Sequence, residues 1–232
     1  MNKALSWASN LVFPNRCAFC SGFIKWDALI CEECRQKLEA ASFCPLCGKS
    51  PCECSAGGIS YDGCAVARPY AGTVRNGILE LKYRCGFNAA EYLAPEVFNI
   101  LVENGFLSEA SLITAVPMTR SRRRETGYNQ AEYIAKELSK LSGIACDFKV
   151  LGKRNSSRAQ HELSADERRA EAFKAYFPLE KHSDITGKTV ILCDDIITTG
   201  STLSACAEAL KSIGAAKVYC AVLAGTIKNG GI

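Results

Sequence analysis

Between Cys17 and Cys54 the chain carries eight cysteines in four close pairs: Cys17-x2-Cys20, Cys31-x2-Cys34, Cys44-x2-Cys47 and Cys52-x-Cys54. Each pair can present two thiolates from one tight turn, and two such turns complete a tetrahedral site with sulfur about 2.3 Å from zinc. Eight thiolates suit one or two zinc ions. The spacing leaves open whether consecutive or interleaved pairs share an ion. A segment of roughly 55 residues buries too little surface to fold on its core alone, so metals or cross-links usually hold it. A structural zinc supplies ~10–16 kcal/mol of apparent folding free energy. Disulfides belong to secreted scaffolds, and a redox C-x-x-C needs one pair at a strand-to-helix junction; four clustered pairs fit neither pattern well. Cys64, Cys85, Cys146, Cys193, Cys206 and Cys220 lie outside the pairs and read as packing.

The remaining length, out of 232 residues, is enough for one full domain beside the small module. A composition of 48% apolar and 22% charged residues excludes wholesale disorder and collagen-like or coiled-coil structure. No run approaches the ~18 apolar residues a membrane helix needs. Ser6, Ser9 and Asn10 interrupt the first apolar run, against a secretion signal. The expected location is cytoplasmic, without membrane insertion. Residues 4–12 read as a short amphipathic helix. Ser55-Ala56-Gly57-Gly58 reads as a linker, which divides the chain into residues 1–57 and 58–232.

Past that linker, apolar runs alternate with helical periodicity. Strands are expected at Val66–Tyr70, Leu112–Val116, Thr189–Cys193 and Val218–Leu223. Helices are expected at Thr73–Tyr83, Ala89–Glu103, Ala131–Leu141 and Thr202–Ile213. The alternation predicts an α/β fold, a mostly parallel sheet flanked by helices.

The most informative stretch runs from Val190 through Asp194-Asp195 to Thr198-Thr199-Gly200-Ser201-Thr202. It reads as a buried strand that brings two adjacent carboxylates to the C-terminal edge of the sheet, where open α/β sheets bind ligands. A hydroxyl-rich turn follows and opens a helix, whose N-terminal N–H groups and dipole suit a phosphate. Gly200 would let the backbone approach an anion closely. Carboxylates beside a phosphate need other partners, and sugar hydroxyls or hydrated magnesium qualify. Diol and phosphate together describe a ribose 5-phosphate. There is no G-x-x-x-x-G-K-[ST] loop, no G-x-G-x-x-G after a strand and no D-x-D.

Residues 190–202 resemble the phosphoribosyl pyrophosphate (PRPP) signature of type I phosphoribosyltransferases. With the cysteine pairs in front, the chain resembles the ComF (GntX-like) family over nearly its whole length. Leu81-Lys82-Tyr83 is similar to that family's L-K-[YF] segment, and Val116-Pro117 through Gly127-Tyr128-Asn129-Gln130 to its V-P … R-G-[FY]-N-Q block. Thr126 stands where the family has Arg, and Arg124 lies two residues earlier. The resemblance implies that Asp194 and Asp195 contact the ribose hydroxyls, directly or through Mg2+, and that Thr198, Thr199, Gly200, Ser201 and Thr202 hold the 5-phosphate. It also implies that the loop after Pro117 faces the pyrophosphate and that Lys82 belongs to the site. The implied cofactors are structural Zn2+ and Mg2+ with PRPP. The implied partners are PRPP, single-stranded DNA and a competence-machinery helicase or other protein.

Charge adds one observation. Between Arg120 and Lys174 thirteen Lys/Arg face eight Asp/Glu, which exceeds the whole-chain net of +4. Arg120, Arg122, Arg123 and Arg124 follow the strand ending at Val116 and suit a pyrophosphate, which Arg recognises bidentately. Lys153, Arg154 and Arg158 read as part of a polar loop able to close over PRPP or lie along a nucleic-acid backbone. His161 and His182 have no partner visible in sequence, so no general base is assigned. Two readings follow: a PRPP-binding protein that handles internalised single-stranded DNA, as the resemblance implies, or a magnesium-dependent transferase acting on a base or amine.

Overall fold

The computed structural model describes residues 14–84, 86–154, 175–180 and 184–228, without the side chain of Ala56. In chain order its elements begin with α1 (Glu32–Gln36), β1 (Gly63–Pro69), α2 (Gly72–Tyr83), α3 (Asn88–Glu103) and β2 (Ala110–Ala115). They continue with α4 (Arg120–Thr126), α5 (Gln130–Ser142), β3 (Leu151–Lys153) and β4 (Tyr176–Pro178). β5 (Thr189–Ile197), α6 (Ser201–Ser212) and β6 (Lys217–Gly225) complete the fold. The helix expected over residues 4–12 falls outside the described residues.

β1, β6, β5 and β2 lie side by side in that order, all parallel. A parallel sheet is covered on both faces, so its strands read as continuous apolar runs. Val190, Ile191, Leu192 and Cys193 of β5 are all fully buried. α3 and α5 pack on each other and on the sheet, while α6 packs on the sheet and on β3 and β4. Register places Ala115 beside Cys193 and Asp194 beside Val222. The α/β class with a parallel sheet is therefore the architecture of the chain.

Three features differ from the sequence expectation. β5 runs four residues beyond Cys193, so the two aspartates lie within the strand rather than in the turn after it. The stretch after Pro117, expected as a loop, is helical from Arg120. Its helix α4 buries no residue and so shows no apolar period; Thr119 caps its start and the left-handed Gly127 its end. β3 and β4 form a short antiparallel pair, too brief to register as periodicity.

The cysteine-rich module docks on the sheet domain along two seams. Phe19 is fully buried and meets α2 at Gly77, where a Cβ would stand 2.4 Å from its ring; Tyr92 of α3 meets it edge-on at 5.6 Å. On the second seam the Cys64 N–H donates to the Pro45 carbonyl at 2.8 Å, and Ser50 bridges Ile227 just past β6. Arg68 pairs in bidentate fashion with Glu96 and also donates to the Glu39 carbonyl at 3.1 Å. Ser55-Ala56-Gly57-Gly58 is a short turn: a 3-10 turn at Cys54–Ala56, then two left-handed glycines.

Candidate functional site

Successive strand residues point to opposite faces. On β5 this separates the two aspartates. Asp195, 9% exposed, receives Lys82 of α2, Nζ to Oδ2 at 3.0 Å. Asp194 faces the other way, within electrostatic reach of Cys206 on α6 and Tyr176 on β4. Its Oδ1 accepts the Asp195 N–H at 2.9 Å.

Lys82 is itself held in place. Tyr128 Oη donates to the Leu81 carbonyl, and Gln130 Nε2 donates to the Lys82 carbonyl at 3.2 Å. Asn129 is buried; its Nδ2 donates to Val116 O at 3.0 Å and its Oδ1 caps α5 by accepting the Ala131 N–H. The two sequence patches 81–83 and 127–130 therefore meet, and together they fix the end of α2 that carries the lysine. Thr126 Oγ1 lies within 2.9 Å of the Arg122 carbonyl and 2.8 Å of the Tyr128 carbonyl, so it ties α4 to the following turn.

The charges follow from this packing. Burial, and then the neighbouring Asp195 charge, pushes the Asp194 carboxyl up to about 7. Asp195 is also raised by burial, with Lys82 opposing. Burial acts to lower the Lys82 ammonium, but the two carboxylates outweigh it and hold it above its usual value. Such a pair gains from hydrogen-bond donors or a cation beside Asp194, the complement a diol or hydrated metal provides.

The turn that follows β5 is tight and leads directly into α6. Gly200 is left-handed, φ +79° and ψ 0°, and stands immediately before the first residue of α6. Thr198 and Thr199 are exposed, and Ser201 and Thr202 are half-buried. The Thr199 and Ser201 hydroxyls lie 3.0 Å apart. The glycine is required for a reason invisible in the sequence: besides its φ, a Cβ there would stand 3.0 Å from Tyr61 Oη.

Beyond the end of β2, a cleft of about 210 Å³ is lined by Pro117, Arg120, Phe148, Lys153 and Phe177, among others. Ala115, which also lines it, is registered beside Cys193 of β5, so the cleft lies near the strand that carries the aspartates. Arg122 sits apart from the cleft lining, its guanidinium 5.5 Å from the Tyr83 ring. Arg123 is engaged by Glu132, with Nη2 to Oε2 at 2.9 Å, and Arg124 is exposed. His161, His182 and Arg158 lie outside the described residues. Tyr61, Tyr176 and Glu132 were not singled out by sequence reasoning as site residues, because isolated side chains of these types carry no spacing signal.

The cysteines resolve the pairing. Cys17, Cys20, Cys31 and Cys34 form one group, and Cys44, Cys47, Cys52 and Cys54 another, the sulfurs of each within 4.8 Å of one another. Consecutive pairs share a site. A tetrahedron with ~2.3 Å bonds has sulfur–sulfur edges of about 3.8 Å. The observed separations match: Cys20–Cys31 3.8 Å, Cys44–Cys54 3.6 Å and Cys47–Cys52 4.0 Å. Backbone N–H groups support the thiolates, Cys31 N to Cys17 Sγ at 3.4 Å and Glu53 N to Cys47 Sγ at 3.5 Å. Both clusters can coordinate a metal, and all-thiolate tetrahedral donor sets suit structural zinc.

A parallel sheet ending in paired acids and a hydroxylated turn, with two tetrathiolate groups docked beside it, defines a phosphoribosyltransferase-fold protein with a zinc-ribbon module. Residues 125–230 match the model of the phosphoribosyl transferase domain, and residues 8–65 that of the double zinc ribbon domain. Competence protein F of Haemophilus influenzae is 25% identical over 218 residues, which cover 89% of this chain and 95% of that protein. DNA utilization protein YhgH of Escherichia coli K12 is 26% identical over 87% of this chain and 86% of its own length. Competence protein ComFC of Bacillus subtilis is 24% identical, with 83% and 82% covered. The chain is similar over most of its length to these competence and DNA utilization proteins. Among the described residues, no helix is long and apolar enough to cross a membrane.

Proposed function

We propose that this chain binds PRPP with magnesium at the C-terminal end of its sheet, and that the bound form serves the handling of internalised single-stranded DNA. The observation that carries the reading is the run from Asp194 and Asp195 into the turn at Thr198–Thr202, with Lys82 brought onto Asp195 from a different helix. Asp194 and Asp195 accept hydrogen bonds from ribose hydroxyls, and the turn holds the 5-phosphate through N–H groups at the α6 N-terminus and the Thr and Ser hydroxyls. Pro117, Arg120 and Arg122 serve the pyrophosphate side. Magnesium, when bound with PRPP, neutralises pyrophosphate charge. Lys82 opposes the burial that disfavours the Asp195 carboxylate while the sugar is absent.

Three cation–aromatic contacts support the DNA part of the reading: Arg122 over Tyr83, Lys153 over Tyr176 and Arg154 over Phe177. Tyr83 is 64% exposed. Of the three rings only Tyr83 is exposed, Tyr176 being buried and Phe177 half-buried, so Tyr83 beside Arg122 is the ring that suits a stacked base next to a phosphate backbone. The relatives' names, a competence protein and a DNA utilization protein, point the same way. This reading places the protein in the cytoplasm.

The expected outcome of a thermal-shift assay is stabilisation by PRPP with magnesium that Asp194→Asn combined with Asp195→Asn removes. No shift in the unaltered protein would overturn the proposal. Single-strand binding should weaken with salt and with neutralisation of Arg122, Arg123 and Arg124. A second reading, transfer of ribose 5-phosphate to a nitrogen acceptor, is favoured by the cleft beyond the end of β2, which has room for a small acceptor. Release of pyrophosphate with a panel of bases and amines would select it.

A further inference from the structure

The two cysteine clusters occupy different places. The first lies with Phe19 against α2 and α3, whereas the second lies behind the turn between β5 and α6. Tyr61 joins the second cluster to that turn: 5% exposed, it donates from Oη to the Cys47 carbonyl at 2.8 Å, and the same oxygen stands 3.0 Å from where a Gly200 Cβ would be. Gly48, one residue past Cys47, is packed equally tightly; a Cβ there would stand 2.6 Å from Cys64 Sγ and 3.1 Å from Ile197 Cδ1. Ile197 is the last residue of β5, and its carbonyl accepts the Thr226 N–H at 3.0 Å. Two residues on, the Lys228 N–H donates to the Ser50 carbonyl at 3.0 Å, and Lys228 also pairs with Glu53 between the last two cysteines. The ends of β5 and β6 and the start of α6 thus rest on one small metal-type ribbon.

We infer that Tyr61 is a positioning residue which transmits the rigidity of the Cys44/Cys47/Cys52/Cys54 ribbon to the phosphate turn, while the Cys17/Cys20/Cys31/Cys34 ribbon has no such role. The physical reason is that the turn is short, glycine-containing and exposed at Thr198 and Thr199, so its amides stay converged on one anion only if something rigid backs them. Four thiolates around one ion make the Cys47 carbonyl a fixed point, and a buried phenol ring with one hydrogen bond carries that fixed point to Gly200. The inference rests on the phosphate reading of the turn, but the backing contact exists without it.

Two measurements separate these ideas. The first is hydrogen exchange at the amides of residues 198–204 in the ligand-free, metal-loaded full chain. The second is calorimetric titration with ribose 5-phosphate. Tyr61→Phe keeps the ring and removes only the hydrogen bond. It should speed exchange in that turn while leaving the amides of Leu93 and Ile134 unchanged, and weaken ribose 5-phosphate roughly 3- to 10-fold, the effect of one lost hydrogen bond. Cys54→Ser should act in the same direction and more strongly, whereas Cys20→Ser in the first ribbon should alter neither measurement. Unchanged exchange in Tyr61→Phe, or equal effects from Cys20→Ser and Cys54→Ser, would overturn the inference. Faster exchange in Tyr61→Phe with no ribose 5-phosphate binding by the unaltered protein would leave the backing contact standing and remove the phosphate reading instead.

Discussion

The two faces of β5 treat adjacent carboxylates in opposite ways. On one face Asp195 has a lysine at 3.0 Å, and that lysine is anchored by Gln130 and by the tyrosine that holds its neighbour. On the other face Asp194 is within electrostatic reach of a buried thiol and a tyrosine, and burial pushes its carboxyl up to about 7. The difference teaches that a D-D pair in a strand is not one anionic patch. One member is charge-paired with a lysine before any ligand arrives, and the other is a buried acid whose ionisation improves when a donor or cation arrives.

The largest test of this contrast removes the lysine. Lys82→Met leaves Asp195 buried without its partner and should cost about 3 kcal/mol, or roughly 6–12 °C in Tm. Adding Asp195→Asn should recover most of that loss, and additive losses would break the contrast. Differential scanning calorimetry checks both.

A somewhat smaller effect with a characteristic pH dependence is expected on the other face. The Asp194 carboxyl is raised from its unfolded value near 4 to about 7. Its folded state therefore holds the proton more tightly, and this contribution to stability is full below pH 4 and lost as pH rises through 7. Asp194→Asn, which keeps the acceptor for the Asp195 N–H, should raise Tm by roughly 2–8 °C at pH 8 and change it little at pH 4. An equal change at both values would mean that the carboxylate is not strained. The smallest effect sharpens the lysine side: Gln130→Ala removes one hydrogen bond to the end of α2 and should cost about 1 kcal/mol in urea denaturation.

How far this contrast was legible in the sequence depended on the residue. Cysteine spacing announced metal-type turns because ligand geometry is local, yet it could not say which pairs share an ion, since that depends on how the chain returns through space. Buried strands such as Val190–Cys193 and Val218–Leu223 were readable from their apolar runs. The end of β5 was not, because Asp194 and Asp195 interrupt the apolar pattern although the backbone ladder continues to Ile197. α4 was missed because a helix with no buried side chain has no period. The meeting of residues 81–83 with 127–130, and the approach of Tyr61 to Gly200, join segments more than forty and more than a hundred residues apart. Only the packed structure brings such segments together.

The most direct measurement is isothermal titration of the zinc-loaded protein with PRPP and magnesium at pH 7.5, repeated on the Asp194→Asn/Asp195→Asn variant. The expected result is saturable binding at one site per chain, weakened at least ~100-fold by the double substitution, the loss of two charge-assisted contacts. Equal affinity in the two proteins would contradict the assignment of these aspartates to the sugar.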